Sequence, residues 1–181
     1  GSPINGTSMA GWQLLMTAGT GANASFAVGT GSSTGNGVYS FGSSGSADRA
    51  LGTLASGSGI YAIGVLITNN TGGLLNRFTI SFTAEQWRKG GSTNKNNWNF
   101  RYKTGNLMNM DQTDLLNNAN FNFSSVINTS QASGLNGNLS ENQLSISYSI
   151  DSVSWQPGEQ LLLRWDDADE TDTILEAIAE T

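Results

Sequence analysis

Carboxylates are concentrated near the end of this 181-residue sequence, where they could hold a hard cation. Half of the fourteen acidic residues lie within residues 166–181: Asp166, Asp167, Asp169, Glu170, Asp172, Glu176 and Glu180. Ca²⁺ takes about six to eight oxygen ligands and needs neither His nor Cys. The cluster therefore predicts a structural Ca²⁺ held by Asp166, Asp167, Asp169 and Asp172, and a solvated acidic turn is the alternative.

An EF-hand loop is excluded as the form of that site. Asp167, Asp169 and Thr171 have the spacing of the first three ligands of such a loop. Asp172 stands where the loop requires Gly, and Ile178 stands where it requires a bidentate Glu.

A second candidate site is the run Ala84-Glu85-Gln86-Trp87-Arg88, which follows an alternating strand pattern. The indole of Trp87 could stack on the apolar face of a sugar ring, with Glu85 and Arg88 binding its hydroxyls. Trp155, beside the turn at residues 156–158, is a further candidate for stacking. The alternative interpretation is structural, with Glu85 in an ion pair with Arg88, Arg49 or Arg164.

Most catalytic chemistries are excluded by composition. The chain has no His and no Cys, which removes His-based triads, Cys nucleophiles and zinc sites of the usual kinds. The carboxylates outside the terminal cluster are scattered singly, and no Gly-rich phosphate loop or Gly-x-Ser-x-Gly motif is present. We therefore expect a protein that is not an enzyme.

Charge and hydropathy narrow the possible partners. The net charge is −6, with only eight Lys and Arg residues, so nucleic acid is not expected as a partner. No apolar run reaches the roughly 18 residues that a membrane-spanning helix needs, so no membrane-spanning segment is expected.

Alternation of apolar and polar residues predicts an all-β fold. Residues 144–150, 78–83 and 98–102 alternate strictly, and residues 60–68 and 161–165 are denser apolar runs. Shorter candidate strands lie at 12–16, 24–28, 37–41, 48–52 and 121–127. We expect a β-sandwich or jelly roll of roughly ten antiparallel strands, with Trp98 and Trp165 in its core.

The sequence predicts one domain and leaves the secondary structure of two segments open. Residues 1–10 are interpreted as a tag or linker, and residues 11–181 as a single β-sandwich domain. Residues 104–120 are interpreted as a long loop or a short helix at the sandwich edge. The pattern Thr173-Ile174-Leu175-Glu176 matches a helix capping box, and a final strand is the alternative.

A series of short motifs in fixed order resembles a known kind of module. It is similar to a β-sandwich accessory module of secreted bacterial multidomain proteins, found beside extracellular nuclease, lamin-tail-like and surface-anchor domains. The resemblance covers nearly the whole chain from Gly11 and rests on residues 19–23, 29–33, 38–42, 45–52, 68–72, 84–88 and 164–169. Such modules tend to close with an Ala-Ile-Asp-Asp-like strand, and this chain departs from that pattern at Ala179.

The resemblance implies an accessory domain comparable to carbohydrate-binding modules, in an extracellular or cell-surface bacterial protein. We therefore expect a non-catalytic module that binds polysaccharide or cell-surface glycan and adjoins other domains of its parent protein. The alternative is a structural spacer, adhesion or assembly domain without a small ligand. An exposed planar aromatic in a groove would favour sugar binding, and flat Asn, Ser or Thr faces would favour the spacer.

Overall fold

The chain folds as a β-sandwich, which confirms the predicted fold class. The computed structural model describes residues 11–19, 26–168, 170 and 175–179, and of the last five only the side chain of Ile178. Its strands form two sheets, here called sheet A and sheet B. Two 3-10 turns, Ala119–Phe121 and Ser140–Asn142, are the helical elements of the described residues.

Sheet A has the order β1-β5-β12-β7-β8, with β9 also paired to β7. All its strand pairs are antiparallel. Its strands are β1 (Trp12–Ala18), β5 (Ile60–Thr68), β7 (Asn97–Gly105), β8 (Leu116–Asn117), β9 (Phe123–Ser124) and β12 (Gln160–Asp167).

Sheet B has the order β10-β6-β13-β4-β3-β2, with β11 also paired to β6. The pair β2–β3 is parallel, and the other pairs of this sheet are antiparallel. Its strands are β2 (Phe26–Gly29), β3 (Gly37–Phe41), β4 (Ala50–Leu54), β6 (Leu75–Lys89), β10 (Ser133–Gly134), β11 (Gln143–Trp155) and β13 (Leu175–Ala179).

The main core lies between the sheets and is rich in aromatic side chains. Because successive residues of a strand point to opposite faces, every second residue of β7 and β12 points inward. Trp98, Phe100 and Trp165 are all buried there, as the sequence predicts for the two tryptophans. The rings of Phe100 and Trp165 lie 5.0 Å apart, which packs β7 against its neighbour β12.

Each sheet also has a covered outer face. Residues 106–115, which follow β7, pack Met110 onto Leu15 and Leu162 on the outer face of sheet A. On sheet B, Trp87 packs with Phe41 and Leu54 on the outer face. Residues 131–142 cover Trp87, because Leu135 donates its backbone N–H to the Trp87 carbonyl at 2.8 Å.

The two ambiguous segments adopt strand and loop structure. Residues 175–179 form β13, paired to β4 on one side and β6 on the other, so the final-strand alternative is confirmed and the capping-box helix is wrong. Residues 106–115 form the long loop, whereas residues 104 and 105 belong to β7 and residues 116–120 contain β8 and the start of the first 3-10 turn. The strand expected at 121–127 is reduced to the two residues of β9.

Candidate functional site

The predicted stacking residue Trp87 is buried on the outer face of sheet B. Its side chain is 1% exposed, and the rings of Phe41 and Trp87 stack at 5.8 Å. On its other side, a Cβ at Gly137 would overlap the indole, so the segment 131–142 lies directly on the ring. A sugar therefore has no open face of this indole to stack on. The prediction that Trp87 is exposed is wrong, because its ring is packed between Phe41 and the segment 131–142.

Glu85 is buried beside Trp87 and has neutral partners. Its carboxylate accepts hydrogen bonds from Trp87 Nε1 at 2.9 Å and from Gln143 Nε2 at 3.2 Å. Burial raises the pKa of the Glu85 carboxyl above its ordinary value. The ion pairs predicted for it are absent among the described residues, because the three candidate arginines bind elsewhere.

The three arginines have partners of their own. Arg49 donates to Ser40, and Arg164 binds Asp166. Arg88 is buried and reaches the carbonyl oxygen of Gly31 at 3.4 Å. None of the three is placed to neutralise Glu85.

The second predicted platform, Trp155, is also buried. It is 5% exposed, and its Nε1–H donates to the Glu159 carbonyl at 2.9 Å. The Asn69 amide donates to the Trp155 carbonyl at 2.8 Å, which ties the β11–β12 turn to the β5–β6 turn. Trp155 thus holds two turns together, and its predicted exposure is corrected.

Two of the predicted calcium ligands point to opposite faces of β12. Asp166 lies on the outer face, where it pairs with Arg101 Nε at 2.8 Å and Arg164 Nη2 at 2.6 Å. Asp167 points inward, is fully buried, and accepts hydrogen bonds from Thr53 Oγ1 and from Asn96 Nδ2 at 3.1 Å. The two carboxylates therefore cannot share one ion.

The other two predicted ligands, Asp169 and Asp172, lie outside the described residues. Within the ranges that the structure describes, no group of three or more acidic side chains is arranged to hold a metal. The calcium site stays a prediction that concerns the residues between β12 and β13.

A cleft of about 510 Å³ opens on the outer face of sheet A, at the end of the segment 106–115. This volume lies in the range of small-molecule sites, about 300–1,000 Å³. Its lining is partly apolar and includes Leu15, Met16, Ile60 and Leu115. Its polar lining comes from three strands and the covering segment: Thr17, Asn99, Arg101, Arg164, Asp166, Asp111, Gln112 and Thr113.

Both hydrogen-bond donors and acceptors line this cleft. The Arg101 side chain is 41% exposed while its Nε contacts Asp166, so the guanidinium also faces the cleft. Asp111 is exposed and has no hydrogen bond or ion pair to another described residue. Asn99 accepts from Asn122 at its Oδ1, which leaves its amide N–H groups for a ligand. The lining carries both signs of charge and suits a neutral, polyhydroxylated molecule better than an ion.

Arg164 fixes the wall of the cleft. Its Nη1 donates to the carbonyl oxygens of Met110 at 2.8 Å and Gln112 at 3.3 Å. Its Nε donates to Asp166 Oδ1 at 2.7 Å, so one guanidinium joins β12 to the covering segment. A planar group with several N–H donors can make these contacts at once.

Sequence reasoning missed the cleft residues Arg101 and Asp111. Arg101 is one of the polar residues in the alternating run 98–102, so its exposure was readable from the pattern. Asp111 belongs to a segment with no regular period, and no local signal shows that this segment folds over sheet A. The juxtaposition of the two residues depends on that fold.

A flat hydroxyl-lined surface occupies the outer face of β6 and β11. Thr79 and Ser149 bond through their hydroxyls at 2.8 Å, and so do Ser81 and Ser147. At the end of this ladder Arg77 pairs with Asp151 at 3.2 Å. The hydroxyls are partnered across the strands, which makes this face polar, level and uncharged over most of its length.

Comparison with known proteins finds neither a family model nor a curated protein that matches this chain. In the described part of the chain, no helix is long and apolar enough to cross a membrane.

Proposed function

We propose that the protein is a non-catalytic, extracellular polysaccharide-binding module of a larger bacterial protein, and that its ligand occupies the cleft on sheet A. The observation that carries the proposal is the lining of the cleft, which combines apolar side chains with hydrogen-bond donors and acceptors. A sugar presents the matching surface, because its ring carbons are apolar and its hydroxyls both donate and accept.

The presence of Arg101 and Asp111 in the same cleft supports a neutral sugar in particular. Each hydroxyl of a vicinal diol needs one acceptor for its proton and can accept from one donor. Arg101 supplies donors only and Asp111 supplies acceptors only. An anionic ligand would gain from Arg101 but would be repelled by Asp111 and Asp166, which line the same cleft.

The carboxylates of the cleft support binding without hydrolysis. Glycosidases need two carboxyl groups that flank the scissile bond, one of them able to give up a proton. Asp166 is engaged in two ion pairs, with Arg101 and with Arg164. Asp167 also lines the cleft, but its carboxylate is buried and accepts hydrogen bonds from Thr53 and Asn96. Asp111 is the remaining cleft carboxylate and cannot supply both roles.

The test is a binding screen against insoluble cellulose, chitin, xylan and β-1,3-glucan, followed by titration with soluble oligosaccharides of the polymer that is bound. We expect saturable binding to one polymer. The affinity for that polymer should fall at least tenfold in Arg101→Leu and in Asp111→Ala. Arg77→Leu is the matched control, because Arg77 makes an exposed ion pair on the other sheet. Absence of binding to all four polymers, or full binding by both cleft variants, would overturn the proposal.

The hydroxyl ladder on sheet B favours the second candidate, a spacer or assembly domain. A level polar face without free charges can lie against a neighbouring domain at little desolvation cost, since its hydroxyls already bond to each other. Self-association that is measured by sedimentation and abolished by Ser81→Lys would support this function. If both the wild type and Ser81→Lys sediment as monomers, self-assembly is contradicted.

A further inference from the structure

A half-exposed tyrosine lies at the edge of the sandwich. Tyr148 is 49% exposed, although Ile146 and Ile150 on the same face of β11 are buried. Its ring makes a T-shaped contact with Phe121, with the centroids 5.8 Å apart and the planes at 84°. The Tyr148 hydroxyl has no hydrogen-bond partner among the described residues. The ring is therefore anchored on one side and presents an aromatic surface and a polar tip to solvent.

Exposed amides lie on the segment whose Phe121 contacts this ring. The 3-10 turn Ala119–Phe121 packs against β11, and Asn117 and Asn120 are exposed at and just before it. Among the described residues, neither of these two side-chain amides has a hydrogen-bond partner. Residues 115–121 and 143–150 contain no charged residue, so the surface around Tyr148 is neutral.

The chain and one strand pairing connect the region of Tyr148 with the cleft on sheet A. Leu115 lines the cleft, and six residues later Phe121 contacts Tyr148. Asn117 on β8 is the cross-strand partner of Arg101 on β7. Directly paired residues on adjacent strands have Cβ atoms about 5 Å apart, so Asn117 stands next to the polar wall of the cleft. Asn117, Asn120 and Tyr148 are each exposed.

We propose that Tyr148 is the stacking platform of a second sugar subsite, so that the module binds the interior of an extended neutral polysaccharide chain. The inference rests on the proposed function of the cleft. The Tyr148 ring supplies an apolar surface, and the amides of Asn117 and Asn120 supply both donors and acceptors for hydroxyls. One chain lying across both subsites gains affinity from each, because the second contact forms without a second loss of translational freedom.

The experiment compares short and long oligosaccharides in isothermal titration. The probes are the disaccharide and hexasaccharide of the cello-, xylo-, chito- and laminari- series. The wild type should bind one hexasaccharide at least tenfold more tightly than its disaccharide. Tyr148→Ala should remove most of that difference and leave disaccharide binding unchanged. Tyr148→Phe should keep most of it, because the ring face is retained.

A matched control separates stacking from general loss of an edge side chain. Leu144 is also a half-exposed apolar residue on the same face of β11, four residues from Tyr148. Leu144→Ala should bind both probes as the wild type does. Circular dichroism melting of both variants establishes that each is folded before binding is compared.

The outcomes distinguish the two proposals. Equal affinity for both lengths, with Tyr148→Ala neutral, would overturn the second subsite and leave the cleft standing. Failure of every probe to bind would overturn both. Dimerisation of the wild type that is lost in Tyr148→Ala, without a length effect on binding, would assign this edge to a second copy of the chain and overturn the subsite.

Discussion

The Trp87 indole donates its Nε1–H to the carboxylate of Glu85 at 2.9 Å, two positions away on the outer face of β6. Both side chains are covered, and the second donor to the carboxylate is the neutral amide of Gln143. Glu85 is therefore a buried acid held by neutral donors. This relationship replaces both sequence-based interpretations of Glu85, the sugar ligand and the ion pair.

The first prediction concerns the pH dependence of stability at Glu85. Burial raises its pKa, so the native state keeps the proton to a higher pH than the unfolded chain does. Its stabilising contribution is complete below the ordinary pKa and is lost as the pH rises through the raised one. Glu85→Gln cannot ionise, so its free energy of unfolding relative to wild type should increase between pH 4 and pH 7.

Urea unfolding of both proteins at several pH values measures that change. Each unit of pKa difference between the folded and unfolded states corresponds to about 1.4 kcal/mol. Glu141→Gln, at an exposed carboxylate, is the control and should show no such trend. A constant difference between Glu85→Gln and wild type across the range would contradict the prediction.

The sandwich was predictable from sequence because one-sided burial leaves a period of two in the strands. The runs 98–102 and 144–150 both became strands with the expected inward face, and Trp98 and Trp165 are core residues as predicted. The same rule fails at Trp87, which points away from the main core and is nevertheless buried. Its cover is the segment 131–142, about fifty residues later, and no local pattern reports so distant a contact.

The candidate site was harder to predict for the same reason. Asp111 and Arg101 line the same cleft only because the segment 106–115 folds back onto sheet A. Asp166 and Asp167 could have been separated from the alternation of β12 alone, since adjacent residues in a strand face opposite sides. The acidic composition of the terminus suggested that both carboxylates bind one ion. The strand geometry instead places Asp166 and Asp167 on opposite faces of β12.

A second prediction follows from the contact between Gly137 and Trp87. A methyl group at Gly137 would overlap the indole, so Gly137→Ala should lower the free energy of unfolding by about 1–3 kcal/mol. Gly57→Ala is the matched control, because a Cβ at Gly57 meets no atom within 4 Å. Chemical denaturation of the two variants should separate them, and equal stability would mean that residues 131–142 are not packed on Trp87.

A third prediction concerns the hydrogen bond that joins the two sheets. Thr53 on β4 donates to the buried carboxylate of Asp167 on β12. Thr53→Val keeps the volume and removes the donor, so it should destabilise the protein by about 1–3 kcal/mol. Thr79→Val removes an exposed hydroxyl bond and should change stability by less than about 0.5 kcal/mol. If the two substitutions lower the free energy of unfolding by similar amounts, the Thr53 hydrogen bond does not make the expected contribution to stability.

A fourth prediction concerns the wall of the cleft. Arg164→Lys retains the charge but cannot contact Asp166, Met110 and Gln112 together. Backbone amides of residues 108–113 should exchange hydrogen faster in this variant, and oligosaccharide affinity should fall. Arg77→Lys serves as the control. Unchanged exchange in residues 108–113 would show that the wall is held by its apolar contacts alone.

The fifth prediction is the calcium site. If the terminal carboxylates hold Ca²⁺, millimolar calcium should raise Tm relative to EDTA, because a ligand that binds the native state stabilises it. Since Asp166 and Asp167 have other partners, Asp172→Asn should remove the rise. Asp166→Asn, by contrast, should retain it. Identical melting curves in the two buffers would rule out a stabilising calcium ion.

The position of β13 has a consequence for biosynthesis. Residues 175–179 pair with β4 on one side and with β6 on the other, between two strands that are synthesised more than eighty residues earlier. Sheet B is therefore in two separate halves until residue 179 has left the ribosome. Nascent chains expose two unpaired strand edges during this interval, which is when chaperone binding and misassembly between neighbouring polypeptides compete with native closure.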